Sequence, residues 1–172
     1  MSVELLVRNE SSIKRLCRQD KLQKLAEYVY NGERCAGEAE VSLLFCDDAR
    51  MRELNSQYRG VDAPTDVLAF PQEECPGDDT RVLGDIVISL ETVAERSGGD
   101  RGAMRREVNL LLCHAMLHLL GYDHQTLAER DWMTQRQAHY LDLPLESAWI
   151  GGSPHGDGAE DETGEGDVGH RE

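Results

Sequence analysis

The stretch His114-Ala-Met-Leu-His118-Leu-Leu-Gly121-Tyr-Asp-His124 leaves this chain few ways to fold. Its histidines stand at i, i+4 and i+10, and a glycine follows the second by three residues. On a helix, positions i and i+4 lie one turn apart on one face, with Cβ atoms about 5–6 Å apart. Two imidazoles placed there can reach one metal ion at the usual Zn–N distance of about 2.0–2.1 Å. Ten residues on, a straight helix would carry the third ring about 15 Å farther along its axis. Gly121 removes that obstacle, because glycine suits the left-handed position that ends a helix, and Tyr122-Asp123-His124 can then fold back. Three protein ligands leave a fourth position open, the composition of a catalytic rather than a structural zinc site. The plainer alternative is three histidines on a half-buried helix. The spacing and the glycine hinge favour the metal.

The same spacing, HxxxHxxGxxH, is that of the metzincin proteases, in which the residue after the first histidine is a general-base glutamate. Here that residue is Ala115, which cannot take a proton from water. No Met-turn can be assigned either, since Met133 is followed by polar, helix-favouring sequence. The ligand pattern is protease-like and the proteolytic base is missing.

With 172 residues, the chain has the length of one domain with a single substantial core. Residues 1–150 are expected to form that domain. No apolar run reaches membrane-spanning length, and the N-terminal residues lack a secretory pattern. Five cysteines, at 17, 35, 46, 75 and 113, form no CxxC pair, which fits reduced thiols and a cytoplasmic protein. Cys113 adjoins a proposed ligand but points about 100° away from it on a helix, toward the core. The net charge is −15. Residues 151–172 contribute seven acids against Arg171 and no core-forming pattern, so this acidic, glycine-rich tail is expected to be disordered, with His155 and His170 incidental. The remainder is still acidic, which argues against a nucleic-acid binder held by overall charge.

Taken in order, the pattern predicts a strand over 3–8 and a helix from Ser11 or Ser12 to about Tyr30, with Ile13, Leu16, Leu22, Leu25 and Val29 inward. The other face of that helix would carry Lys14, Arg15, Arg18, Lys21 and Lys24. Such a stripe is either a solvated face or a contact for phosphate backbone or a ribosomal surface. A buried strand is expected at 41–46, a helix from Asp47 or Asp48 to Tyr58, and strand character at 67–70 between prolines. The clearest strand is 83–89, where Gly84-Asp85 suggests a bulge or a close backbone approach. Helices follow at about 90–97, 102–120 and 126–142. The second carries the core stripe Val108, Leu112, Ala115 and Leu119, and Glu107 on its ligand face is read as solvated. The last sets Trp132, Met133 and Leu141 against the body. The expected fold is α/β (α+β): a single mixed sheet of about four strands with about five helices, the metal site on a central helix and the turn after it.

Three segments in one order, Asn55-Ser-Gln-Tyr-Arg59-Gly-Val-Asp62-Ala-Pro64-Thr65-Asp66-Val-Leu-Ala-Phe70-Pro71, then Leu83-Gly84-Asp85-Ile86, then the histidine stretch, resemble the YbeY family of bacterial rRNA-maturation factors. The resemblance covers roughly residues 40 to 145. It departs at Ala115, where the family usually has another small residue, glycine, and the acidic tail has no counterpart. It implies a zinc-dependent, single-strand-specific endoribonuclease acting in 16S rRNA 3′-end processing, ribosome maturation and quality control. One Zn2+ per chain would be held by His114, His118 and His124, with Arg59 as the other functional side chain. It also implies single-stranded rRNA on the small subunit, ribosomal protein S11 and the GTPase Era as partners. A guanidinium suits that role, because it grips phosphate oxygens as a fork and keeps its charge at neutral pH. The metal would polarise a phosphoryl oxygen, activate water, or both. Asp66 and Asp85 fall within the motifs but suit structural places as well, and Asp123 can orient a ring by hydrogen bonding to it. The general base stays open between water, a zinc-held hydroxide and the substrate 2′-hydroxyl. Two other readings are a non-catalytic ribosome-assembly factor with a structural metal, and a zinc metalloprotease.

Overall fold

A computed structural model describes residues 2–73, 77 and 80–149 of the chain. The expectation for the acidic tail, and most of the 73–80 loop with Cys75, lie outside the described residues. The described chain runs β1 (Ser2–Asn9), α1 (Gln19–Gly32), β2 (Glu38–Cys46), α2 (Asp48–Arg59), β3 (Val67–Pro71), β4 (Arg81–Ser89), α3 (Leu90–Arg96), α4 (Arg101–Leu119) and α5 (Leu127–Leu141). A short 3-10 turn, Leu145–Ser147, follows. The four strands form one sheet in the order β1-β2-β4-β3. β1, β2 and β4 are parallel, and β3 joins the far edge antiparallel to β4, with Val67 opposite Ile88 and Pro71 opposite Gly84. This is the expected mixed α/β sheet.

Alternation along the strands sorts the two faces. Val3, Leu5, Val41, Leu43, Phe45, Leu83, Ile86 and Ile88 join the core beneath α1 and α4. Met51 of α2, with Cys46, Leu68 and Val87, makes a smaller cluster on the other side. α4 is the central element: it packs on β3, β4, α1, α3 and α5, and Leu110 through Leu117 are all buried. Gly84 has φ +145°, and a Cβ there would collide with the carbonyl oxygen of Phe70. The β2–β4 register also shifts beside it, so the Gly-Asp pair marks both a bulge and a close approach. The edge of β1 is covered by Gln23 of α1, whose Oε1 accepts from Leu5 N–H at 2.8 Å and whose Nε2 donates to Val3 O at 2.6 Å. A side-chain amide thus occupies backbone groups that would otherwise template another strand.

Two sequence expectations are corrected here. Residues 10–18 are not helical, and α1 begins only at Gln19. The serines read as helix caps bind elsewhere: Ser11 to Asn9 Oδ1, and the Ser12 N–H to Asp47 Oδ2 at 2.9 Å. Arg101 of α4 donates to the Arg15 carbonyl at 2.8 Å, and Arg15 itself sits at φ +57°. Tertiary hydrogen bonds override the local propensity. Lys14, Arg15 and Arg18 therefore do not share a helix face with Lys21 and Lys24. Trp132, expected against the body, is half exposed and lies under the Arg136 guanidinium at 5.7 Å.

Candidate metal centre

Because its second half is surrounded by core, α4 delivers its polar side chains only where the packing opens. Ala115 and Leu119 face inward as expected, and His114 is 4% exposed while His118 is half-buried. Their Nε2 atoms are 3.0 Å apart. At the helix end Gly121 takes φ +101°, and the Tyr122 N–H returns to the Leu117 carbonyl at 3.0 Å. This reversal brings the His124 ring to centroid distances of 5.6 Å from His114 and 5.1 Å from His118. One ligand atom from each ring lies within 4.8 Å of the others. Nitrogens sharing a tetrahedral ion at about 2.0–2.1 Å stand about 3.3 Å apart, so the α4 pair needs little movement to hold zinc. The cluster can hold a metal ion. Burial first, and the neighbouring His118 ring second, push the His114 pKa down to about 3. The imidazole therefore stays neutral at physiological pH, the form that ligates.

The turn that carries His124 is tied at both ends. On its far side Thr126 and Glu129 form a capping box, with Thr126 Oγ1 accepting from Glu129 N–H at 3.1 Å and Glu129 Oε2 from Thr126 N–H at 3.2 Å. On its near side the Tyr122 hydroxyl donates to Glu33 Oε2 at 2.8 Å. Glu33 Oε1 also accepts from Arg136 Nε at 2.9 Å and from the Tyr140 hydroxyl at 2.9 Å. Burial alone would raise the Glu33 carboxyl, but the hydrogen bonds from Arg136, Tyr122 and Tyr140 outweigh it and hold it below its ordinary value. One carboxylate thus joins the end of α1, the ligand turn and α5.

Arg59 arrives from the opposite side of the sheet. It is the last residue of α2, which ends at Gly60 with φ +69°. The following loop is fastened by Asn55, whose Nδ2 donates to the Ala63 carbonyl at 2.8 Å, and by an exposed Arg52–Asp62 ion pair at 2.7 Å. Asp66 closes it: fully buried, it accepts from Val67 N–H at 2.8 Å and from Arg96 Nη1 at 2.6 Å. With the chain so held, Arg59, the three histidines, Val67, Ala69, Pro71, Tyr122 and Asp123 line one cleft of about 500 Å³.

Several candidates take other roles. Asp85 is exposed and lines a separate cavity of about 630 Å³ on the far face of the sheet, with Tyr58 and Phe70. Asp66 serves the loop and its ion pair. Asp123 accepts its hydrogen bond from the His124 N–H at 2.7 Å. Glu107, read as solvated, is half-buried and lies 3.7 Å from Arg96, with burial raising its carboxyl. Cys113 is wholly buried, and burial pushes its thiol up to about 12, a core residue as expected. The residue that sequence reasoning missed is Gln137 of α5. Its Oε1 lies 2.8 Å from His114 Nδ1, and its Nε2 donates to the Ala148 carbonyl. A polar side chain on the same stripe as Met133 and Tyr140 was the available signal.

The family model described as Endoribonuclease YbeY matches residues 6–143, from the first strand to the end of α5. The chain belongs to the YbeY family. Endoribonuclease YbeY of Pelotomaculum thermopropionicum is 48% identical over 125 residues, covering 70% of this chain and 82% of the relative. Endoribonuclease YbeY of Moorella thermoacetica is 46% identical over 129 residues, with the same coverage. The solution structure of TM1509 from Thermotoga maritima superposes with a TM-score of 0.55 at 26% identity, covering 87% of this chain and 99% of that one. The YbeY match thus extends through the N-terminal strand and helix, whose residues were not diagnostic by themselves.

Proposed function

We propose that the chain is a zinc-dependent, single-strand-specific endoribonuclease working on rRNA of the small subunit, at the 16S 3′ end. Residues 1–150 form its hydrolase domain. The observation that carries the reading is the convergence of three histidine nitrogens and Arg59 on one cleft in a member of the YbeY family. His114, His118 and His124 are the residues that would hold the ion. Three imidazole nitrogens, two from the packed helix α4 and one from the turn after it, suit zinc, whereas Mg2+ and Ca2+ prefer oxygen ligands. When bound, zinc supplies Lewis-acid activation of the phosphodiester and of water.

The chain's own residues account for the rest. Arg59 enters from α2, across the cleft from the α4 ligands, and its fork can grip two non-bridging oxygens of one phosphate. That grip orients the scissile group and stabilises charge that grows on it in the transition state. Val67, Ala69 and Pro71 give the cleft an apolar wall along β3. Among the described lining residues Asp123 is the single carboxylate, and Ala115 is fully buried. Ala115 stands where a metzincin carries its glutamate, and Asp123 accepts from the His124 N–H, so no observation favours the protease reading. The net charge of −15 gives weak affinity for naked RNA. Delivery by a partner on the ribosome answers this, and ribosomal protein S11 and the GTPase Era are the partners proposed, in the cytoplasm. Among the described residues, no helix is long and apolar enough to cross a membrane.

The test is metal content and RNA cleavage on purified wild type and His114→Ala. Zinc near one per chain, with cleavage lost in the variant and by chelation, supports the reading. Equal cleavage by both proteins sinks it and moves a non-catalytic assembly role forward.

A further inference from the structure

We propose that Gln137 is a positioning residue for the metal centre: it fixes the tautomer of His114 and makes the segment ending at Trp149 part of the ligand scaffold. The inference rests on the reading that His114 holds the metal.

The hydrogen-bond chain admits one polarity. A backbone carbonyl can only accept, so the side-chain atom that faces the Ala148 oxygen must be the Gln137 amide nitrogen. The Gln137 oxygen is thereby turned toward His114 Nδ1, 2.8 Å away. An amide oxygen can only accept, so Nδ1 carries the ring proton. The lone pair is left on Nε2, the atom that points at His118 Nε2. Free histidine has no such constraint, and the wrong tautomer would aim an N–H at the metal.

Burial makes this assignment firm. Gln137 and Ala148 are both fully buried, and His114 nearly so, so water cannot substitute for either hydrogen bond. The Ala148 carbonyl is itself held in place, since the 3-10 turn Leu145–Ser147 packs on α5 and the Ala148 N–H returns to Leu145 O at 3.2 Å. Next in the chain, the Trp149 ring meets the His114 and His124 rings edge-on, at centroid distances of 6.1 and 5.6 Å. Arg130 stands over the Trp149 ring at 5.4 Å. The chain after α5 therefore grips one ligand through Gln137 and buttresses two through Trp149.

The experiment uses the full chain and measures zinc affinity by chelator competition for wild type, His114→Ala, Gln137→Met and Gln137→Glu. It adds 15N NMR of the metal-free wild type to read the His114 tautomer. Gln137→Met fills the space without an acceptor and should bind zinc about 10–100-fold more weakly. Gln137→Glu restores the acceptor, and as a neutral carboxyl it can also donate to the Ala148 carbonyl, so it should stay within about threefold of wild type. The NMR should show the proton on Nδ1. Wild-type affinity in folded Gln137→Met, lost affinity in folded Gln137→Glu, or a proton on Nε2 would each overturn the proposal. The NMR arm needs no variant, so a misfolded mutant does not blunt the test. Tight binding by wild type that His114→Ala abolishes, with Gln137 variants unchanged, rejects only the role of Gln137. Equal binding by wild type and His114→Ala rejects the metal reading itself.

Discussion

Replacing Arg59 by lysine keeps a positive charge at the cleft but loses the planar fork that can hold two phosphate oxygens at once. Arg59→Lys is expected to cut the cleavage rate about 10-fold and Arg59→Ala about 10²–10³-fold, the scale of removing one transition-state donor. Zinc content should be unchanged in both, because Arg59 comes from α2 while every proposed ligand lies on α4 or its turn. Cleavage assays paired with metal analysis check this, and a variant that loses zinc together with activity would contradict the separation of roles. Asp66 belongs to a different class. Buried and paired with Arg96 at 2.6 Å, it holds the loop after Arg59. Asp66→Ala removes the acceptor of the Val67 N–H and of Arg96. Arg96 is partly exposed and keeps Glu107 3.7 Å away, so the expected cost is about 1–3 kcal/mol of stability. Chemical denaturation measures that directly.

Between α4 and α5, the turn bearing His124 depends on Glu33 at the end of α1. Glu33→Gln removes a charge that accepts from Arg136, Tyr122 and Tyr140, three donors drawn from two other segments. The expected loss is about 1–3 kcal/mol, together with weaker zinc binding as the Tyr122 tether slackens. The pH dependence follows from the direction of the shift. The Glu33 carboxyl lies below its unfolded value of 4.5 in the folded chain, so the folded state binds fewer protons there. Its contribution is full above that value and is lost as pH falls through the folded pKa. Acid unfolding of wild type should therefore steepen below about pH 4.5 relative to Glu33→Gln. Parallel acid-unfolding curves for the two proteins would rule this out.

Across the whole molecule, the proposed metal links α4 to the turn before α5, and anything that binds only the folded state raises its stability. Zinc at about 100 times its dissociation constant contributes about 2.7 kcal/mol, which for a chain of this size corresponds to roughly 5–11 °C in Tm. Chelation should lower the melting temperature of wild type by that order and leave His114→Ala unmoved. Calorimetry with and without chelator tests it. The acidic net charge makes a second demand on the same scale: cleavage of naked rRNA should be slow, and faster when the same site is presented on the small subunit. Equal rates on both substrates would remove the reason for invoking a delivering partner.

Much of this was legible along the chain, because the controlling interactions are local. A histidine pair at i and i+4 with a glycine hinge needs only helix geometry to imply a shared ligand site, and Gly121 takes the positive φ that the reading required. Strand alternation and the apolar stripe of α4 likewise predict one sheet and a central helix, since burial of one face is set by residue spacing. What lay beyond reach was decided by atoms far apart in sequence. Ser11 and Ser12 look like helix caps until Asn9 and Asp47 claim them, and no local pattern announces Asp47 as a partner 35 residues away. Glu33 reads as an ordinary acid at a helix end, yet 89 residues separate it from Tyr122. Gln137 looks like one polar residue on an amphipathic helix; only packing α5 against α4 sets its amide beside His114. Local periodicity specifies which faces are buried, whereas which polar groups meet in that interior depends on the tertiary path that brings them together.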